Sequence, residues 1–200
     1  MTVRKPAVSL ALLALLLSAP AAAQTLGTPV FMAPYRAFDR TEIGASFSDP
    51  GRGVALEGHY RFAVRANDFG FRIGVRDNDP GDSQLLAGAE WRTRTLSHSD
   101  DFPLDGSLTL GAGARLGGGN STLLLPAGFS LGRRIAVEDS DVELTPYLHP
   151  FVGLSLGDTS DLFVGLGLGI DIRLNRQFEI RVAGAIGDYD GVSVGLAFLR

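Results

Sequence analysis

Cysteine is absent from the 200 residues, and lysine occurs once, as Lys5. The first absence excludes a disulfide scaffold, a thiol nucleophile and any cysteine-ligated metal site. An excess of positive charge is missing too: the formal net charge is −4, which argues against a nucleic-acid binder. The apolar run from Ala7 to Leu17 falls short of the roughly 20 residues that a membrane-spanning helix needs. Nor does any segment carry the helical pattern that a crossover between parallel strands requires.

The first residues have the order of a secretory signal peptide. Arg4 and Lys5 precede the apolar run, and Ala21-Ala22-Ala23 precede Gln24. Residues 1–23 are expected to be removed, which moves the net charge to −6 and leaves all positive side-chain charge on sixteen arginines. Residues 24–39, with Pro29 and Pro34, have no sustained period and read as a periplasmic leader. Residues 40–200 read as one barrel domain, because they alternate apolar and polar side chains almost to the end.

Val54, Leu56, Tyr60, Phe62 and Val64 alternate with Ala55, Glu57, His59, Arg61 and Ala63. A pleated strand produces that separation automatically, and a helix does not. The same period returns in runs around Ile43, Phe71, Ala87, Leu110, Leu125, Leu148, Leu168, Ile180 and Val194, giving ten strands, or eight if a run is misread. Short connections imply antiparallel neighbours, so the expected fold is all-β, an up-and-down antiparallel transmembrane β-barrel. Aspartate concentrates in the turns; glutamate falls on the polar side of strands.

Alternation leaves open which face points inward. A soluble secreted or periplasmic barrel would enclose an apolar ligand, whereas a membrane barrel turns its apolar face to lipid. The polar face here is crowded with glycine, of which the chain has 26 residues. Its charges are arginine and glutamate without lysine, suited to paired ions in a confined space. Both features favour the inverted arrangement. The expected lumen network comprises Glu42, Glu57, His59, Arg61, Arg72, Arg76, Glu90, Arg92, Arg115, Glu143, Asp171, Arg173, Glu179 and Arg181, in a largely filled or narrowly hydrated interior. Across the turn at Asn175, Arg173 should face Glu179 and Asp171 should face Arg181. Across the Ala66-Asn67 turn, a symmetric register would set Glu57 opposite Arg76. The outward aromatics Phe62, Phe69, Phe71, Trp91, Phe178 and Phe198 would form an interfacial girdle at the periplasmic end, with both termini on that side.

Leu144-Thr145-Pro146-Tyr147-Leu148 with Gly153-Leu154, and the glycine-alternating stretch Val164 to Asp171 leading into Arg173-Leu174-Asn175, resemble the outer-membrane β-barrel family, the small OmpA/OmpX-like barrels of Gram-negative bacteria. The resemblance covers the chain from about Arg40 onward. It implies residence in the bacterial outer membrane, contact with outer-membrane lipid, and handling by the secretion and barrel-assembly machinery. In that family the last strand usually ends in an aromatic residue. Phe198 has the right phase here, but Leu199 and Arg200 follow it.

Chemistry-bearing motifs are sparse. His59 and His149 lie on the polar face and His98 in a turn, without a nucleophile elbow, so no catalytic residue is assigned. His59 reads as a lumen partner of Glu42. Gly165 to Gly169 sits inside an alternating strand with no helix after it, which excludes a phosphate-binding glycine loop. The aspartate turns match no calcium loop, so neither metal nor cofactor is expected. The reading is a non-enzymatic barrel, structural or a narrow passive pore for small solutes. Its alternatives are the soluble barrel and an outer-membrane lipid-modifying enzyme or protease.

Overall fold

The computed structural model describes residues 25–34, 40–78 and 82–200. The expected signal peptide lies outside the described residues, as do residues 24 and 35–39 of the expected leader. In chain order the strands are β1 Glu42–Asp49, β2 Val54–Val64, β3 Asn67–Asn78, β4 Asp82–Leu96, β5 Asp105–Gly117, β6 Thr122–Gly132, β7 Ile135–Ala136, β8 Glu143–Leu156, β9 Ser160–Arg173, β10 Phe178–Gly187 and β11 Gly191–Leu199. β7 is a two-residue rung on β8; the other ten form the barrel wall. Each pairs antiparallel with its chain neighbours, β1 pairs with β11, and β6 pairs with β8 across the short rung. The sheet is therefore a closed ten-stranded up-and-down barrel without a free edge.

Closure works because every strand keeps the two-residue period. Apolar side chains point outward and stay exposed, Ile73 at 61% and Val192 at 62%, while their neighbours Arg72 and Ser193 are buried. An exterior of Leu, Val, Ile and Phe around a charged interior is the arrangement that lipid stabilises and water does not. Of the outward aromatics, Phe62 stacks on Phe69 with centroids 5.8 Å apart, and Phe178 meets Phe198 at 5.4 Å. The register sets Phe69 beside Trp91. These rings gather toward the barrel end where β1 begins and β11 finishes, the terminal end. The 50–53, 118–121 and 188–190 turns mark the far end.

Two local expectations change. The β2–β3 turn is centred one residue earlier than the symmetric reading, on Arg65 and Ala66, with Val64 paired to Asn67. Arg65 takes a left-handed conformation (φ 58°), as a tight two-residue hairpin demands. Glu57 consequently opposes Gly74, not Arg76, and reaches Arg72 diagonally. Pro146 and Pro150, as prolines inside a strand, would ordinarily mark a bulge or bend. Instead β8 pairs with β9 in unbroken register through both, and the β6–β8 ladder merely skips the rungs beside Pro150, which has no N–H to donate.

Candidate functional site: the filled lumen

The lumen has two unlike walls. β1 to β4 carry most of the charge, and β6, β8 and β9 carry Leu124, Tyr147, Phe151 and Phe163, all buried. The glycine stretch of β9 explains how rings fit there. A Cβ at Gly165 would stand 2.6 Å from the Phe151 ring, one at Gly167 2.8 Å from Phe31, and one at Gly169 would strike Tyr147. Glycine on this strand makes room for aromatic rings on its neighbours.

All fourteen expected network residues lie on lumen-facing positions, in four groups. The largest sits toward the terminal end. Arg61 donates to Asp68 at 2.8 Å and to Glu90 at 2.6 Å. Arg181 binds Glu42 through two nitrogens, at 2.8 and 2.7 Å, and Glu179 at 2.5 Å. His59 Nε2 lies 2.8 Å from Glu42, and Arg92 Nε lies 3.5 Å from Asp68. Asp171 faces Arg181, and Arg173 faces Glu179 across their hairpin. Halfway up, Arg72 pairs with Glu57 at 2.5 Å. At the terminal rim, Glu143 takes Arg173 at 2.7 Å and Arg134 at 3.3 Å. Arg76 and Arg115 stand apart near the far end. Pairing at these distances offsets a desolvation cost of several kcal/mol per buried ion.

Asp68, fully buried between Arg61 and Arg92, was missed because the displaced turn hid its strand phase. Asp105 was also missed; it is buried and lies 3.1 Å from Nδ1 of His98. Tyr147, Phe151 and Phe163 share the parity of His149 and Gly165, and that parity was the available signal.

The larger correction concerns the leader. Residues 25–34 lie inside the barrel, not in a periplasmic tail. Arg72 donates to Thr28 Oγ1 at 3.2 Å and to the Val30 carbonyl at 3.4 Å. Ser193 donates to the Pro29 carbonyl at 2.5 Å, and Ser130 to that of Met32 at 3.1 Å. Asp171 accepts the Ala33 N–H at 2.9 Å, and Arg92 donates to the Ala33 carbonyl at 3.1 Å. Leu26 is fully buried against Gly88 and Gly113. The Phe31 ring lies 5.3 Å from Phe151 and 5.2 Å from His149. An irregular segment has no ladder of its own, so the lumen side chains take up its backbone groups. The segment leaves a small chamber of about 50 Å³, lined among others by Phe31, His149, Ser46 and Thr109. Polar atoms of the last three have no partner among the described residues, so the chamber is suited to ordered water.

The chain matches no protein-family model and no curated protein. Among solved structures, it is similar to the β-domain of the Bordetella autotransporter BrkA. That likeness has 16% identity and a TM-score of 0.51, and covers 80% of this chain and 99% of that one. A second similar structure, from the de novo design of transmembrane β-barrels, has 14% identity and a TM-score of 0.41 over 81% of this chain and 96% of that one. The likeness to the autotransporter β-domain agrees with the fold seen here, a closed antiparallel β-barrel.

Proposed function

We propose that this chain is a non-enzymatic barrel of the bacterial outer membrane whose lumen is closed by its own N-terminal segment. It serves as a structural barrel, or as a narrow passive pore for small solutes once that segment is displaced. The observation that carries this reading is the hydrogen bonding of residues 25–34 to lumen residues on β3, β4, β6, β9 and β11. The apolar exterior, the aromatic rings at the terminal end and the signal-like residues 1–23 support the outer-membrane assignment. On this reading the barrel contacts outer-membrane lipid, both termini face the periplasm, and the secretion and barrel-assembly machinery delivers the chain.

The histidines support a role without catalysis. His59 is engaged by Glu42, His149 is packed between Phe31 and Phe151, and His98 is engaged by Asp105. The test is insertion of the folded chain into planar bilayers, combined with membrane fractionation. The expected result is heat-modifiable protein in the outer-membrane fraction with no large steady conductance. Partition into the aqueous phase, or a large and stable open state, would overturn the proposal.

A further inference from the structure

Arg61, Arg72 and Arg181 each meet a carboxylate at 2.5 to 2.8 Å. Among the described residues, no carboxylate meets Arg76 or Arg115 at such a distance. Arg76 is only 8% exposed, yet its contacts are to carbonyls, Gly27 at 3.5 Å and Arg52 at 3.2 Å. Those bonds are long for a charged donor, which normally sits about 2.7–2.9 Å from an anionic acceptor. Arg115 donates to the Tyr189 hydroxyl at 3.0 Å and lies 5.4 Å over that ring. The Nε of each guanidinium is buried without a partner among the described residues.

Both side chains converge on the same point of the plug. A Cβ on Gly27 would stand 3.0 Å from Arg115 Nη1, and the Gly27 carbonyl is the group that Arg76 Nη1 reaches. Three far-end aspartates have local contacts. Asp49 accepts the Gly51 N–H at 3.0 Å, Asp77 accepts the Ser83 hydroxyl at 3.4 Å, and Asp82 lies against Gly118. A buried guanidinium (Arg76) beside a half-buried one (Arg115), with no carboxylate among the described residues to pair with them, is costly, because desolvation is not offset by attraction.

We propose that Arg76 and Arg115, with the Tyr189 hydroxyl, form a binding site for a phosphate-class oxyanion at the far mouth of the lumen. Each guanidinium presents Nε–H and Nη–H as a fork that matches two oxygens of a phosphate. The Gly27 carbonyl occupies the place of one such oxygen, so bound phosphate and the tip of the plug compete. Access comes from the far-end mouth beside the 50–53 turn, the end of β3 and the start of β4, a cavity of about 810 Å³ with Arg76 on its wall. The site is independent of whether the lumen conducts, and its failure would leave the plug reading intact.

The test follows the arginine Nε–H resonances of the full chain in a phosphate-free detergent, at constant ionic strength. One arm adds inorganic phosphate, and the other adds phosphatidylglycerol against phosphatidylcholine. Saturable shifts of two arginines with inorganic phosphate identify a free ion as the ligand; shifts with phosphatidylglycerol alone identify a headgroup. In R76Q/R115Q, which lacks those two resonances, the midpoint is read from the Gly27 backbone amide beside the site and should rise at least tenfold. If that variant fails the heat-modifiability check, R76K/R115K keeps the charge without the fork and should still raise it severalfold. No saturable shift in either arm, or an unchanged midpoint in a folded double variant, would overturn the proposal.

Discussion

Arg181 on β10 grips Glu42 on β1 through both terminal nitrogens, Nη1 to Oε1 at 2.8 Å and Nη2 to Oε2 at 2.7 Å. The two residues are 139 positions apart, and β11 lies between their strands. The pair therefore bridges the seam where the two ends of the sheet meet. Truncating one partner strands a charge inside the barrel, at a cost of about 3–5 kcal/mol. We expect E42A and R181A each to lose stability on that scale in denaturant titrations of the folded, detergent-bound chain. E42L/R181M, which removes both charges, should lose much less. Equal losses in the single and double variants would show that the pair does not act as a unit.

The exterior makes the opposite prediction. Ile73 is mid-strand on β3, points away from the lumen and is 61% exposed. Arginine there should cost about 2–4 kcal/mol in a bilayer, as expected for a cation near the midplane of a membrane barrel. The same substitution would be nearly neutral on a barrel surrounded by water. Equilibrium unfolding from lipid vesicles distinguishes the two.

Gly167 and Phe31 offer a test of the plug's packing. A methyl group at Gly167 would come within 2.8 Å of the Phe31 ring. G167A should therefore destabilise the closed state by about 1–3 kcal/mol through overpacking. Shortening the ring with F31L in the same chain should recover part of that loss. Protease sensitivity of the N-terminal segment reports it directly: raised in G167A, and lowered again in the double variant.

The barrel wall was legible because period-2 alternation needs only residue type. Ile43 and Phe47 against Glu42 and Ser46 already give a strand with two unlike faces, and the short connections give the antiparallel pairing. Lumen charge was legible for the same reason, since Arg72 and Glu57 sit on polar-phase positions. The β2–β3 register was not, because it depends on Arg65 adopting a left-handed conformation that glycine or asparagine normally signals. The slip moved Asp68 out of the turn and into the lumen. The plug was hidden for a different reason. Residues 25–34 owe their place to Arg72, Arg92, Ser130, Asp171 and Ser193, which are far away in the chain, and an irregular segment carries no period of its own.

Arg92 and Asp171 hold opposite sides of one peptide, the carbonyl at 3.1 Å and the N–H of Ala33 at 2.9 Å. D171N keeps the shape but weakens the acceptor for a buried N–H, at a cost of about 1–3 kcal/mol. Hydrogen exchange at Ala33 should accelerate accordingly in D171N, by roughly tenfold or more, while exchange in β9 and β10 changes little. Equal acceleration throughout the barrel would mean that Asp171 supports the wall and not the plug.

The most direct measurement compares single-channel conductance of the intact chain with that of a chain lacking residues 25–34, both checked for heat-modifiable folding. If the segment closes the lumen, the intact barrel is silent or flickers rarely. The shortened one then shows a steady open state that small solutes can pass. Equal conductance in the two chains, whether both open or both closed, would contradict the account.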